Sequence, residues 1–179
     1  MAKVMPQLLT RFLQPNRILF PLLFALGCAT TSAVPATDLH ADHILILKSK
    51  HTMILLTNNT VLKTYKVAIG KGSGGPKQHE GDHETPEGFY IIDSKNAQSR
   101  FHRALHISYP NADDRKRAQT ADVNPGGLIM IHGIQNGLSW LGSLQHTIDW
   151  TDGCIAVTDS EIDEVWKLVP VGTAVEIRH

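Results

Sequence analysis

Apolar positions along this chain come in short bursts, separated by polar and glycine-rich stretches. Few runs are long enough for a helix. Residues 43–48 and Thr52–Thr57 are compact apolar runs of strand length. Asn58-Asn59 separates the second run from 61–69, which predicts a hairpin turn. Segments 88–93, 102–109, 128–132, 155–157 and Ala174–Arg178 read as further strands. Helical signals are sparse. Ala112–Thr120 is polar all round and predicts an exposed helix or turn. Trp140, Leu144 and Ile148 recur at i, i+4, i+8, the spacing of a short amphipathic helix. Thr158-Asp-Ser-Glu161 matches a capping box, and Ile162, Val165 and Trp166 then form an apolar stripe. There is no internal repeat. The predicted fold class is mainly β, a β-rich α+β domain with a few short helices.

The first residues follow a different rule. Lys3, Arg11 and Arg17 precede an apolar run over 18–27, and no acid occurs before Asp38. A basic start, a short apolar core and then small residues predict an export signal. The run is too short for a transmembrane helix, which needs about 20 residues. It ends in Ala25-Leu-Gly-Cys28, which resembles a bacterial lipobox with Cys28 as the lipidated first mature residue. The alternative is an ordinary signal cut after Ala33 or Ala36. The expected organisation is a signal over 1–27, a tether over 28–41 and a folded domain over 42–179. The expected location is the periplasm. In the lipidated form, Ala29 after Cys28 favours the outer membrane, reached through a lipid anchor.

Composition narrows the function. The chain has 179 residues, 42% hydrophobic and 19% charged, which is globular and suits one domain. Lys+Arg and Asp+Glu number 17 each, so no basic excess favours a nucleic-acid partner. Removing the three basic residues of the signal leaves 14 against 17, a mildly acidic mature chain. Two cysteines, Cys28 and Cys154, exclude a disulfide framework and a four-cysteine zinc site. After export, Cys154 is a lone thiol in an oxidising compartment, either reactive or buried and inert.

Several motifs carry possible chemistry. The glycine-rich run 70–77 lacks the helix that a phosphate-binding loop requires, and Pro76 interrupts it, so it reads as a connection. His79-Glu-Gly-Asp-His-Glu84 offers metal-type ligands, but in a polar loop such groups are ordinarily solvated. No cofactor or metal is expected. His102 and His106 sit four apart on a predicted strand, roughly 13 Å at about 3.3 Å per residue, so they do not form a pair. The remaining combination is sharper. His132 ends an apolar strand and is followed by Gly133, while Gly153-Cys154 opens another. A free cysteine is mostly thiol at neutral pH, so an adjacent imidazole is needed to take its proton. The same imidazole, once protonated, can hand that proton to a leaving amine. Backbone N–H groups at 153 and 154 are candidate oxyanion donors. Spacing alone leaves open an inert buried cysteine beside a structural histidine.

Ile131-His-Gly133 followed by Thr151-Asp-Gly-Cys-Ile155 resembles the signature of the L,D-transpeptidase catalytic-domain family. Thr85-Pro-Glu-Gly88 is similar to that family's turn before a strand. Ser99-Arg-Phe-His102, Tyr109-Pro-Asn111 and Asp114-Arg115 resemble the branch that includes the amidase releasing lipoprotein from murein. The likeness runs from Asp42 to Ile177. It implies a β-sandwich-like fold and a cysteine acyl-enzyme acting on peptidoglycan stem peptides. By that resemblance Cys154 is the nucleophile and His132 the base. Gly133 supplies a carbonyl that orients the imidazole, and Gly153 shapes the oxyanion hole. Arg100, His102 and Asp152 are weaker substrate-binding candidates. The sequence departs from the family's usual pattern in three ways. Asp152 replaces a usual His, Ala156 a usual Arg or Asn, and the 22 residues from His132 to Cys154 exceed the usual gap. The helix around 140–148 fills that extra length as a lid or acceptor-side wall, and its His146 is a rival base. The leading expectation is a transpeptidase. A hydrolytic variant, which is a carboxypeptidase or lipoprotein-releasing amidase, and a non-catalytic murein-binding lipoprotein are the alternatives.

Overall fold

The computed structural model describes residues 39–179. The expected signal, Cys28 and the tether up to residue 38 lie outside the described residues. Eight strands form one curled sheet: β1 (His43–Leu47), β2 (Thr52–Thr57), β3 (Thr60–Lys66), β4 (Gly88–Ser99), β5 (His102–Ile107), β6 (Met130–His132), β7 (Ile155–Ala156) and β8 (Ala174–Arg178). Their spatial order is β3-β2-β1-β8-β4-β5-β6-β7. Two α-helices accompany them, α1 (Ala112–Thr120) and α2 (Asp159–Leu168). No described helix is long and apolar enough to cross a membrane.

Alternation explains the first half. In β1 and β2, Ile44, Ile46, Met53 and Leu55 point inward and are fully buried, while their neighbours are only partly covered. β1 pairs antiparallel with β2 and parallel with β8, where Val175 and Ile177 join the same core. Each such side chain contributes about 1.5–3 kcal/mol by leaving water. Asn58 and Asn59 both take positive φ, as a tight hairpin requires, and the β2–β3 hairpin falls where the sequence predicts it.

β4 is longer than the expected 88–93. Its first residues pair with β8 and its later ones with β5, and the register shifts between Ile92 and Ser94. One strand therefore spans both parts of the sheet, so its polar second half is held by pairing rather than by apolar pattern. Conversely, β3 stops at Lys66, short of the expected 69. The chain then crosses to the far edge, where Ala68 and Ala156 exchange two backbone hydrogen bonds of 3.0 and 2.8 Å. That crossing brings 68–70 beside β7.

Both α-helices carry capping boxes. Thr158 and Glu161 cap α2 as expected, and Ile162 and Val165 pack into the core. Asn111 and Asp114 cap α1, which accounts for a stable helix with so little apolar surface. The predicted helix over 140–148 is a correction. Ser139–Thr147 forms two short 3₁₀ pieces kinked at Gly142, whose φ of 49° breaks the helical path. Its supposed core stripe faces outward instead: Trp140 is 75% exposed, Leu144 62% and Ile148 68%.

Candidate active site

β6 and β7 lie side by side and parallel, with Ile131 opposite Ile155 and His132 opposite Ala156. Ile131 and Ile155 point into the core. His132 and Cys154 consequently emerge on the other face, because side chains alternate along a strand. Continuing the register one step places Cys154 opposite Met130. The 22-residue gap in sequence thus collapses to a diagonal between neighbouring strands.

Each residue is fixed by a local device. His132 is 3% exposed, and its Nδ1 lies 2.6 Å from the Gly133 carbonyl oxygen. With Nδ1–H donating to that carbonyl, Nε2 holds the lone pair. Burial pushes the His132 pKa down, with the Gly133 bond opposing it, so the ring is a neutral base near pH 7. Gly133 must be glycine for space: a Cβ there would meet Asp159 Oδ1 at 2.7 Å. Asp159, at the start of α2, accepts the Ile134 N–H at 2.8 Å and so anchors the chain just beyond the imidazole.

Cys154 ends a turn stapled by Thr151, whose hydroxyl donates to the Cys154 carbonyl at 2.7 Å and accepts the Gly153 N–H at 3.2 Å. The Gly153 amide is thus engaged within the turn. Gly153 takes φ of 119°, and a Cβ there would lie 2.6 Å from the Glu84 carbonyl oxygen. No larger residue fits without moving the loop that backs the cysteine. The thiol points to the Leu128 carbonyl at 3.5 Å and forms no hydrogen bond to His132. Leu128 holds a positive φ of 56°, which turns that carbonyl toward the sulfur and starts β6 at 130 rather than 128. Burial raises the Cys154 pKa, a Met130 backbone bond lowers it, and the Asp152 charge adds to the rise. The pair therefore rests as thiol and neutral imidazole, which suits proton transfer during attack rather than a standing thiolate.

Aromatic rings wall the imidazole. Phe101 stacks on His132 at 4.4 Å between centroids, and Trp150 meets it edge-on at 5.7 Å. Sequence reasoning missed both walls, and also the staple at Thr151. Thr151 had a signal, its place in the Thr-Asp-Gly-Cys quartet; the two aromatics had none.

The weaker candidates scatter. Arg100 sits exposed in the β4–β5 turn, over the Phe101 ring at 5.6 Å. His102 faces Asp163 of α2 at 2.9 Å, and His106 faces Asp93 at 2.7 Å, so the two histidines take separate partners. Asp152 is exposed and turned to Lys71 at 2.9 Å and His83 at 2.8 Å; hydrogen bonding from Lys71 leads the causes that lower its pKa. His146 faces Glu161 at 3.8 Å and makes no hydrogen bond or ion pair to Cys154. The acids of 79–84 build the loop. Asp82 takes Lys77 at 2.7 Å and the amides of Gln78, His79 and Glu84, while Glu84 takes the Ser73 hydroxyl at 2.7 Å and the amides of Ser73 and Gly74. Among the described residues no cluster of three or more His, Cys, Asp or Glu is arranged to hold a metal. Lys48, buried, donates to the Gly75 and Thr85 carbonyls and to Glu87 at 2.9 Å, tying the Thr85–Gly88 turn to β1.

A strand-borne histidine and a glycine-turn cysteine thus stand on one face of this curled sheet. The chain belongs to the L,D-transpeptidase catalytic domain (YkuD) family, whose model matches residues 41–177. It is 32% identical over 133 residues to an Escherichia coli K12 protein named "Putative L,D-transpeptidase YafK", covering 71% of this chain and 46% of that one. The chain therefore spans about half the length of the curated relatives it matches. In fold it is similar to the helical cell shape determining protein Pgp2 of Campylobacter jejuni. The TM-score is 0.59 at 24% identity, covering 79% of this chain and 49% of the other. It is also similar to Bd1075 of Bdellovibrio bacteriovorus, with a TM-score of 0.57 at 24% identity over 78% and 48%. An L,D-transpeptidase of Mycobacterium smegmatis gives 0.52 at 14% identity over 78% and 59%.

Proposed function

We propose that this protein is a peptidoglycan L,D-transpeptidase that works through an acyl-enzyme on Cys154. The observation that carries the reading is the placement of Cys154 and His132 on one face of two adjacent parallel strands, with His132 Nδ1 fixed by the Gly133 carbonyl. The names of its relatives, which include cell-shape proteins and L,D-transpeptidases, point to the same cell-wall chemistry.

In this mechanism a stem-peptide carbonyl docks beside the sulfur. His132 Nε2 takes the thiol proton as Sγ attacks, and a thioester forms at the third stem residue. The imidazolium then protonates the departing amine of the terminal D-amino acid. An amine from another stem, or water, resolves the thioester. Water as the resolving nucleophile makes the enzyme a hydrolase by the same steps. We further propose that the chain is exported to the periplasm and is anchored by lipid on Cys28, in keeping with the signal-like pattern of its first residues.

The test uses a defined tetrapeptide muropeptide with the wild type and Cys154→Ala. The wild type is expected to release the terminal D-amino acid, and Cys154→Ala to lose that activity by at least about 10⁴-fold, as removal of an essential nucleophile does. Cross-linked or exchanged products mark a transferase, and tripeptide alone marks a hydrolase. Equal activity in both proteins overturns the cysteine mechanism.

A further inference from the structure

The sheet register extends the row that starts at the nucleophile. Cys154 follows the β6–β7 register to Met130; Met130 pairs with His106 on β5, and His106 pairs with Ser94 on β4. Residues directly opposite one another in a sheet share a face. Cys154, Met130, His106 and Ser94 thus project from the same side, and His106 lies two strand spacings from the cysteine, roughly 10 Å between Cα atoms. A groove of about 630 Å³ runs along this row, lined by Asp93, Ser94, His106, Leu128 and Met130 among others. Leu128, which lines the groove, is also the residue whose carbonyl receives the Cys154 thiol.

Within the groove, His106 and Asp93 form a second imidazole–carboxylate pair. His106 Nδ1 is 2.7 Å from Asp93 Oδ1, and the Ser94 hydroxyl donates to the same oxygen at 3.1 Å. With Nδ1 engaged by the carboxylate, Nε2 is left without a hydrogen-bond partner among the described residues. The nearby ammonium of Lys95 is turned away, donating to the Trp166 and Val169 carbonyls on the other face. His132, in contrast, is sealed between Phe101 and Trp150 and offers only its ring edge. A nucleophile lodged in this groove meets His106 on the face of the sheet that Cys154 shares.

We propose that His106, held by Asp93, is a second general base that deprotonates the nucleophile resolving the acyl-enzyme. The assignment rests on the acyl-enzyme reading above and names a catalytic residue for its second half. The nucleophile is a primary amine or water. Its nitrogen or oxygen bonds to the thioester carbonyl carbon while His106 Nε2 takes one of its protons. The C–S bond then breaks, the sulfur leaves with the bonding pair, and the proton taken up by His106 returns to it to restore the thiol, so that both imidazoles end neutral. Asp93 acts as a positioning residue that fixes the tautomer.

The experiment measures release of the terminal D-amino acid from the tetrapeptide muropeptide, with a free D-amino acid as amine acceptor, alongside intact protein mass. His106→Gln is expected to keep the first-turnover burst of about one equivalent per enzyme. Its steady-state rate should fall about 10²-fold, the usual scale for losing a general base. Protein carrying the acyl group should then accumulate. Asp93→Asn is expected to show the same split with a smaller fall, about 10-fold. A loss of the burst in step with the steady-state rate overturns the assignment, because His106 would then serve folding or the first half. Unchanged rates in both variants overturn it equally. A wild type that never carries an acyl group on Cys154 overturns the acyl-enzyme reading itself, a result distinct from either of these.

Discussion

Two long segments flank the nucleophile, and they are built on opposite principles. Residues 70–84 contain almost no apolar side chain, yet they are rigidly specified. Lys48, Lys77, Asp82 and Glu84 are buried or nearly so, and their charges are taken up by backbone groups and by one another. Residues 134–150 are rich in Leu, Ile and Trp, yet Trp140, Leu144 and Ile148 face outward. A cavity of about 480 Å³ lies among Ile134, Leu138, Leu141, Leu144, Ile148 and Trp150. The buried amide nitrogen of Gln145 has no hydrogen-bond partner. Polarity therefore does not predict burial here. A loop becomes firm when each buried polar group finds a partner, and charged groups on backbone amides form the stronger bonds.

The first way to break this contrast is Asp82→Asn. Burial alone would raise the Asp82 pKa, but Lys77 and three backbone amides outweigh it and hold the carboxyl far below its usual range. The contribution of this group is thus fully present above the unfolded carboxylate value, about 3.9, and fades as the pH falls below it. Removing the charge leaves Lys77 buried without its partner, a loss of about 3–5 kcal/mol. Thermal unfolding should drop by about 6–20 °C, and the acid limb of the stability curve should flatten. A shift of less than about 2 °C would show that the loop is not held this way.

A smaller effect is expected at the junction between the insertion and the site. Trp150→Leu removes one wall of the imidazole. Burial is what lowers the His132 pKa, so opening the site should raise it toward the ordinary histidine value of about 6.5. A base works only when neutral, so the acid limb of kcat/KM should move to higher pH. Activity at pH 6 should fall more than activity at pH 8. An acid limb that stays fixed would separate Trp150 from the base.

The smallest effect belongs to the exposed apolar side chains. Trp140→Ser and Leu144→Ser should each change stability by less than about 0.5 kcal/mol, as surface substitutions do. Chemical denaturation midpoints would check this. A loss of about 2 kcal/mol or more would mean that the stripe is covered after all.

Short apolar runs marked most strands correctly, because a strand that packs into a core concentrates apolar residues within a few positions. The capping box at Thr158 fixed the start of α2 for the same local reason. The insertion misled. The spacing of Trp140, Leu144 and Ile148 is helical, but Gly142 adopts a left-handed backbone that interrupts any helix. Leu128 misled too, since nothing in an apolar run shows that its first residue takes positive φ.

By itself the sequence determined the strand-rich class, the helix caps and the two residue types on which the chemistry turns. Cys154 and His132 stand out because each pairs with a glycine at the edge of an apolar strand. Only the tertiary structure decided that they share a face, since that depends on the β6–β7 register across 21 intervening residues. Only it placed Phe101 and Trp150 on the imidazole, turned Asp152 to Lys71 and His83, and lined up His106 with the nucleophile. The physical reason is range. Propensity, alternation and capping act within a few residues, whereas register, burial and the pKa values they set arise from segments that meet only when the sheet closes.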